Sequence, residues 1–297
     1  MNNYYKGLIV PFNVANNEAA ELTDEFKNEN KLNINNEMII NETHELITPL
    51  NVIYGAAQLI EHYLKNDVND NFDKIELSVE SIKQNSFRLM KIINNILDLH
   101  KIETGLFKLD YNYINIVEVV EDVVQIVSKK VRDKQLHFIF DTDSEEKFLM
   151  ADTENIERML LNILSNAVKY SNPGGKIFVN VSVRDYFVEI AVIDNGVGIK
   201  RKHLNNIFNS FVRGDKSLSR ISEGCGLGLK ISKAIIEAHG GSIHVSSNPN
   251  KGSAFIIKLP CKKNDTIYTL FPKKVINYDS LNEMINIEFS DIENMVW

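Results

Sequence analysis

Apolar residues recur along the first third of the chain at alternating steps of four and three. Ile39, Thr43, Leu46, Leu50, Ile53, Ala57, Ile60 and Leu64 trace one stripe. Phe72, Ile75, Val79, Ile82, Ser86, Leu89, Ile93 and Ile96 trace a second. This spacing is a heptad seam and predicts two long helices. The polar stretch 66–71 between them predicts a short loop, which makes the pair an antiparallel hairpin. Two helices alone cannot cover both stripes, and burying each apolar side chain contributes roughly 1.5–3 kcal/mol. Pairing two hairpins into a four-helix bundle would cover them, so a homodimer through residues 37–103 is expected. A monomeric hairpin packed on the rest of the chain is the alternative. Gly105 then reads as the glycine that ends the second helix.

Beyond residue 105 the period changes. Residues 106–150 mix short strands with a helix near 115–130. Residues 154–170 form a strongly apolar helical pattern with Asp152 as its N-cap, and Ser171-Asn172-Pro173-Gly174-Gly175 stops it. Strands are expected over 176–183 and 186–194, a helix over 226–237, and a final strand pair over 242–247 and 254–259 around Asn248-Pro249-Asn250. The expectation is an α+β unit: a mixed or antiparallel sheet with helices on one face. Residues 1–36, rich in Asn and Glu, read as a flexible segment or the stub of a signalling helix, too short for a sensor domain. In the tail, the alternation Ile285-Asn286-Ile287-Glu288-Phe289 suggests an added strand. The expected division is 1–36, 37–105, 106–265 and 266–297, the last of unassigned role.

The length of 297 residues suits about two domains. The net charge of −7 lacks the basic footprint of a nucleic-acid binder. Cys225 and Cys261 are the only cysteines, which is no disulfide framework and fits a reducing compartment. No apolar run approaches the ~18–20 residues a bilayer span needs, and no leader is evident. A cytoplasmic protein without a membrane segment of its own is therefore expected.

Three glycine- and asparagine-bearing motifs carry the chemistry of the second half. Asn162 and Asn166 lie one helical turn apart, with Lys169 and Tyr170 on the next turn. An amide oxygen at Asn166 suits Mg²⁺, a hard cation that takes oxygen ligands, and Lys169 offers a point charge to phosphate. Asp194 ends an apolar strand before Asn195-Gly196-Val197-Gly198; a carboxylate there only accepts, which suits an exocyclic amino group such as adenine's. Gly224-Cys225-Gly226-Leu227-Gly228 precedes a helix, so backbone N–H groups and the helix N-terminus can meet phosphates. The charged stretch 213–222 reads as a lid.

His44, in Asn41-Glu42-Thr43-His44-Glu45-Leu46-Ile47-Thr48-Pro49, flanks the first stripe and faces outward. An imidazole ordinarily titrates near ~6.5, so a neutral nucleophile is available near pH 7. Glu45 can orient the ring and take its proton. Pro49 denies a bond to the Glu45 carbonyl, at a cost of about 3 kcal/mol in a helix interior.

Together, His44-Glu45-Leu46-Ile47-Thr48-Pro49, Asn162 with Asn166, Asp194-x-Gly196-x-Gly198, Phe208-x-x-Phe211 and Gly224-x-Gly226-x-Gly228 resemble the H, N, G1, F and G2 boxes of sensor histidine kinases. The resemblance covers about residues 37–260. It implies a dimerisation and histidine-phosphotransfer hairpin followed by a Bergerat-type ATPase domain, an α+β sandwich. It implies autophosphorylation of His44 from ATP with Mg²⁺, then transfer to an aspartate of a response-regulator receiver domain. Thr48 matches the position tied to dephosphorylating that regulator. Ile47 stands where the family usually has Arg or Lys, and Cys225 where it has Thr or Ser. Two other readings stay open: a Bergerat-type ATPase or serine-kinase switch, and a non-catalytic dimeric scaffold.

Overall fold

A computed structural model describes residues 43–65, 68–209, 226–261 and 277–292. The expected N-terminal segment 1–36, the lid 213–222, Phe211, Gly224 and Cys225 lie outside these. The chain divides after Ile47 into two compact units.

Residues 43–65 are helical (α1), through Pro49. Helix α2 spans Val68–Glu103. It begins inside the polar stretch that sequence alone assigns to a loop, and residues 68–71 of that stretch are helical. Gly105 ends α2 with φ +69°. Leu106 N–H donates to Lys101 O at 2.8 Å and Gly105 N–H to Ile102 O at 3.2 Å, the two bonds of a Schellman cap.

The remaining elements are β1 (Asn112–Asn115), α3 (Ile116–Lys130), β2 (His137–Thr142), β3 (Phe148–Ala151), α4 (Thr153–Tyr170), β4 (Lys176–Val183) and β5 (Phe187–Asp194). A short α5 (Arg201–Leu204), then α6 (Gly228–Ala238), β6 (Ser242–Ser247), β7 (Ser253–Pro260) and α7 (Tyr278–Glu288) follow. The larger sheet has the order β2-β4-β5-β7-β6. Only β2 and β4 are parallel; the other neighbours are antiparallel. The period-two alternation of each strand puts one apolar row inward. Val179 pairs with Val192 and Val181 with Ile190, and Ile190 and Val192 pair in turn with Ile257 and Phe255. Helices α3, α4 and α6 cover this row with Val120, Val123, Ile156, Leu160, Ile163, Leu164, Ile231 and Ile235, all buried. The sandwich is thus two layers, with a mixed sheet.

The expected strand at 285–289 is instead the end of a helix. Leu281, Ile285 and Phe289 are all buried, and their spacing of four places them on one helical face. Asn277 caps it, its side chain accepting from Ser280 N–H at 3.3 Å. Five alternating residues fit a strand and a helix end equally well, and here the cap and the earlier Leu281 decide.

Candidate functional site

Helix α4 carries the two asparagines. Asp152 starts it, its Oδ1 accepting from Asn155 N–H at 3.1 Å. Asn162 is buried and Asn166 half-buried, and Asn166 Nδ2 donates to Asn162 Oδ1 at 3.4 Å. Gly228 at the start of α6 lies against the same side chain: a β-carbon there would stand 2.3 Å from Asn162 Nδ2 and 2.4 Å from its Oδ1. The glycine therefore lets the α6 N-terminus reach the asparagine face of α4. Leu227 is fully buried, and Gly226 holds φ +66°, a conformation that favours glycine. Lys169 is also buried, with Nζ 5.9 Å from the Tyr170 ring centre. Lys233 of α6 sits 5.9 Å from the Phe208 ring centre.

Asp194 closes β5 in a buried position. Its Oδ1 accepts from Gly196 N–H at 2.9 Å and from Ser253 N–H at 3.2 Å. Both bonds go to one oxygen, and Oδ2 has no hydrogen-bond partner among the described residues. Burial pushes its carboxyl above the usual carboxylate range, against these two bonds, which lower it. The loop behind it is pinned from two sides. Val197 N–H donates to Tyr170 O at 3.1 Å and Asn250 N–H to Val197 O at 2.8 Å. Ile199 N–H donates to Ser247 Oγ at 2.8 Å. A β-carbon at Gly196 would meet Tyr170 O at 2.1 Å, and one at Gly198 would meet Asn248 O at 2.1 Å.

So Asn162, Asn166, Lys169 and Tyr170 lie in the second half of α4, Asp194, Gly196 and Gly198 at and just after the end of β5, and Gly226, Leu227 and Gly228 at the start of α6. Sequence reasoning missed Gly252 and Ser253. Gly252 has φ +85° and leaves only 1.8 Å between a would-be β-carbon and Asp194 O. Its signal was present as a glycine before the last strand, but nothing local ties that turn to Asp194. A buried acceptor with a spare oxygen, beside a glycine-lined helix N-terminus, fits an adenine nucleotide. Among the described residues no group of three or more His, Cys, Asp or Glu is placed to hold a metal ion.

His44 is exposed and Glu45 half-buried in the first unit. Thr48, in the second unit, is exposed. No helix among the described residues is long and apolar enough to cross a membrane.

Two family models match the chain. The His Kinase A (phospho-acceptor) domain matches residues 35–105. The Histidine kinase-, DNA gyrase B-, and HSP90-like ATPase matches residues 151–263. Among curated proteins, the Non-motile and phage-resistance protein of Caulobacter vibrioides is 30% identical over 82% of this chain and 29% of its own length. Sensor protein GacS of Pseudomonas syringae is 34% identical over 78% of this chain and 26% of its own. The chain spans between 11% and 29% of the length of the first three curated relatives it matches. Among solved structures, the Acinetobacter baumannii histidine kinase AdeS aligns with TM-score 0.57 and 26% identity over 73% of this chain and 97% of AdeS. Histidine kinase ThkA, solved in complex with response regulator protein TrrA, shares the fold: TM-score 0.55 at 23% identity, over 84% of this chain and 68% of that one.

Proposed function

This chain belongs to the sensor histidine kinases, and we propose that it phosphorylates its own His44 from ATP and passes the phosphoryl group to an aspartate of a response-regulator receiver domain. A neutral His44 ring nitrogen attacks the γ-phosphorus in line, the bond to the β–γ bridging oxygen breaks, and ADP leaves. Glu45 takes the proton of the second ring nitrogen as the phosphoramidate forms. Asp194 Oδ2 accepts from the adenine amino group. The backbone around Gly226, Leu227 and Gly228, with Gly224 before them, approaches the phosphates. Asn162, Lys169 and Tyr170 line the remaining wall. Mg²⁺, held through Asn166 and the phosphates, would screen the negative charge that repels an incoming nucleophile.

One observation carries this reading: a buried carboxylate, fixed by two backbone N–H groups, has an oxygen left for a ligand beside a glycine-lined helix N-terminus. In this reading residues 37–105 form the phospho-acceptor hairpin and 106–265 the ATP-binding unit. Thr48, on the exposed side of α1, places a water during regulator dephosphorylation. A homodimer through residues 37–103 is supported by the seam residues Leu50, Leu64, Phe72, Val79 and Ile93, which are exposed in the single chain.

Incubation with γ-labelled ATP tests the cycle. The chain should acquire an acid-labile label that His44→Gln abolishes. An acid-stable label that survives His44→Gln would favour a serine-kinase switch instead, and failure to bind nucleotide a scaffold.

A further inference from the structure

Residues 277–292 lie past the last position matched by either family model, residue 263. Yet they touch both matched regions. Lys91 Nζ of α2 is 2.7 Å from Glu288 O, 3.1 Å from Glu288 Oε1 and 2.9 Å from Asp291 Oδ2. Gln84 Nε2 and Arg88 Nε both donate to Ser290 O, at 3.2 and 3.3 Å. From the opposite side, Ser165 Oγ of α4 donates to Glu288 O at 3.3 Å. One turn of chain is therefore gripped at once by the hairpin and by the helix that bears Asn162, Asn166 and Lys169. Its apolar side chains Leu281, Ile285, Phe289 and Ile292 are buried beneath.

The polar grip is not a surface ornament. Burial alone would lower the Lys91 ammonium, but Asp291 and Glu288 overcome it and hold it above the usual lysine range. Burial would raise the Asp291 carboxyl, but Lys91, then Lys169 and Arg88, hold it below the usual carboxylate range. Pairs this shielded are weakly screened by salt. Removing one partner leaves an uncompensated buried charge.

We propose that residues 277–292 are an autoinhibitory strap, which ties α2 to α4 and must let go before the ATP-binding unit moves to the phosphoacceptor. The inference rests on the kinase reading, in which His44 and the bound nucleotide, held by separate parts of the chain, must come together for transfer. The strap then opposes transfer by restraining that motion.

The test uses the full chain with Asp291→Asn, which keeps the shape of the turn, and Lys91→Gln, which loosens it from the other side. Hydrogen exchange reads the strap without reference to chemistry. Residues 277–292 should exchange at least about tenfold faster in both variants, while β4 and β5 keep their protection. Acid-labile labelling from γ-labelled ATP reads the consequence: both variants should label at least about fivefold faster than the parent. Unchanged exchange overturns the strap. Faster exchange with unchanged or slower labelling overturns its inhibitory role and leaves the kinase reading standing. If neither parent nor variants label, the kinase reading itself has failed, and the inhibitory role fails with it.

Discussion

Gly228 and Asn162 meet across the α4–α6 interface, so closely that a β-carbon on the glycine would lie 2.3 Å from Asn162 Nδ2. Asn162 is itself buried, so it has little room to retreat. Gly228→Ala should displace the asparagine and weaken binding of a fluorescent ATP analogue by at least about tenfold, near 1.4 kcal/mol. Far-UV circular dichroism should change little. Unaltered affinity in the folded variant would remove Gly228 from the site.

Asp194→Asn keeps an oxygen for the N–H groups of Gly196 and Ser253 but turns an amide donor toward the ligand. An unmatched donor pair in a buried site costs about 1–3 kcal/mol. Calorimetric titration with a non-hydrolysable ATP analogue should show weaker binding by roughly that amount, with ADP and ATP affected alike.

The same residue fixes a pH dependence. Burial raises the Asp194 carboxyl, so it takes up its proton at a higher pH than an ordinary carboxylate. Nucleotide affinity should fall on acidification in a window that begins above the usual carboxylate range. The linkage to stability has the opposite sign: with the folded pKa above the unfolded one, protonation favours the folded state. Melting curves of the nucleotide-free chain, set beside titrations at each pH, separate the two. An affinity flat across that window counts against a charged Asp194 in recognition.

His239 joins α6 to α4. Its Nε2 accepts from Asp152 N–H at 3.0 Å, so Nδ1 carries the proton and donates to Ile235 O at 2.7 Å. Burial lowers its pKa, against the Ile235 bond and the Asp152 charge, which raise it. The unfolded chain then binds the proton first, so this contribution is present above about pH 6.5 and is lost as pH falls toward the folded value. Thermal melts at pH 7.5 and 5.5 should differ, and His239→Gln should narrow the difference. Equal narrowing by the exposed His62→Gln would show that the effect is not specific.

Val79 and Ile93 are exposed on the seam of α2. Val79→Glu with Ile93→Glu places charges on the face the dimer reading buries. Sedimentation velocity should show the parent as a dimer and the double variant as a monomer. A monomeric parent ends the dimer proposal.

The long helices, the N-cap Asp152 and the strand pairs are legible in the order of residues, as are the three motifs of the proposed site, because each rests on a local rule. A period of 3.5 or two residues, a capping side chain, or a glycine at a turn acts within a few positions of itself. Two other features are not legible there. Ser253, with Gly252 before it, reaches Asp194 across 59 residues, and the short alternation at 285–289 points to the wrong element, because its burial is set by α2 and α4.

What the chain's own pattern determined, then, is which segments become rods and strands and which side chains offer acceptor, cation or nucleophile. Only the folded chain decided that the turn after β6 steadies Asp194, and that Glu288 and Asp291 close on Lys91 about two hundred residues earlier. Such contacts depend on buried charges meeting across elements, and their strength comes from the low dielectric that packing creates. No local pattern encodes that environment.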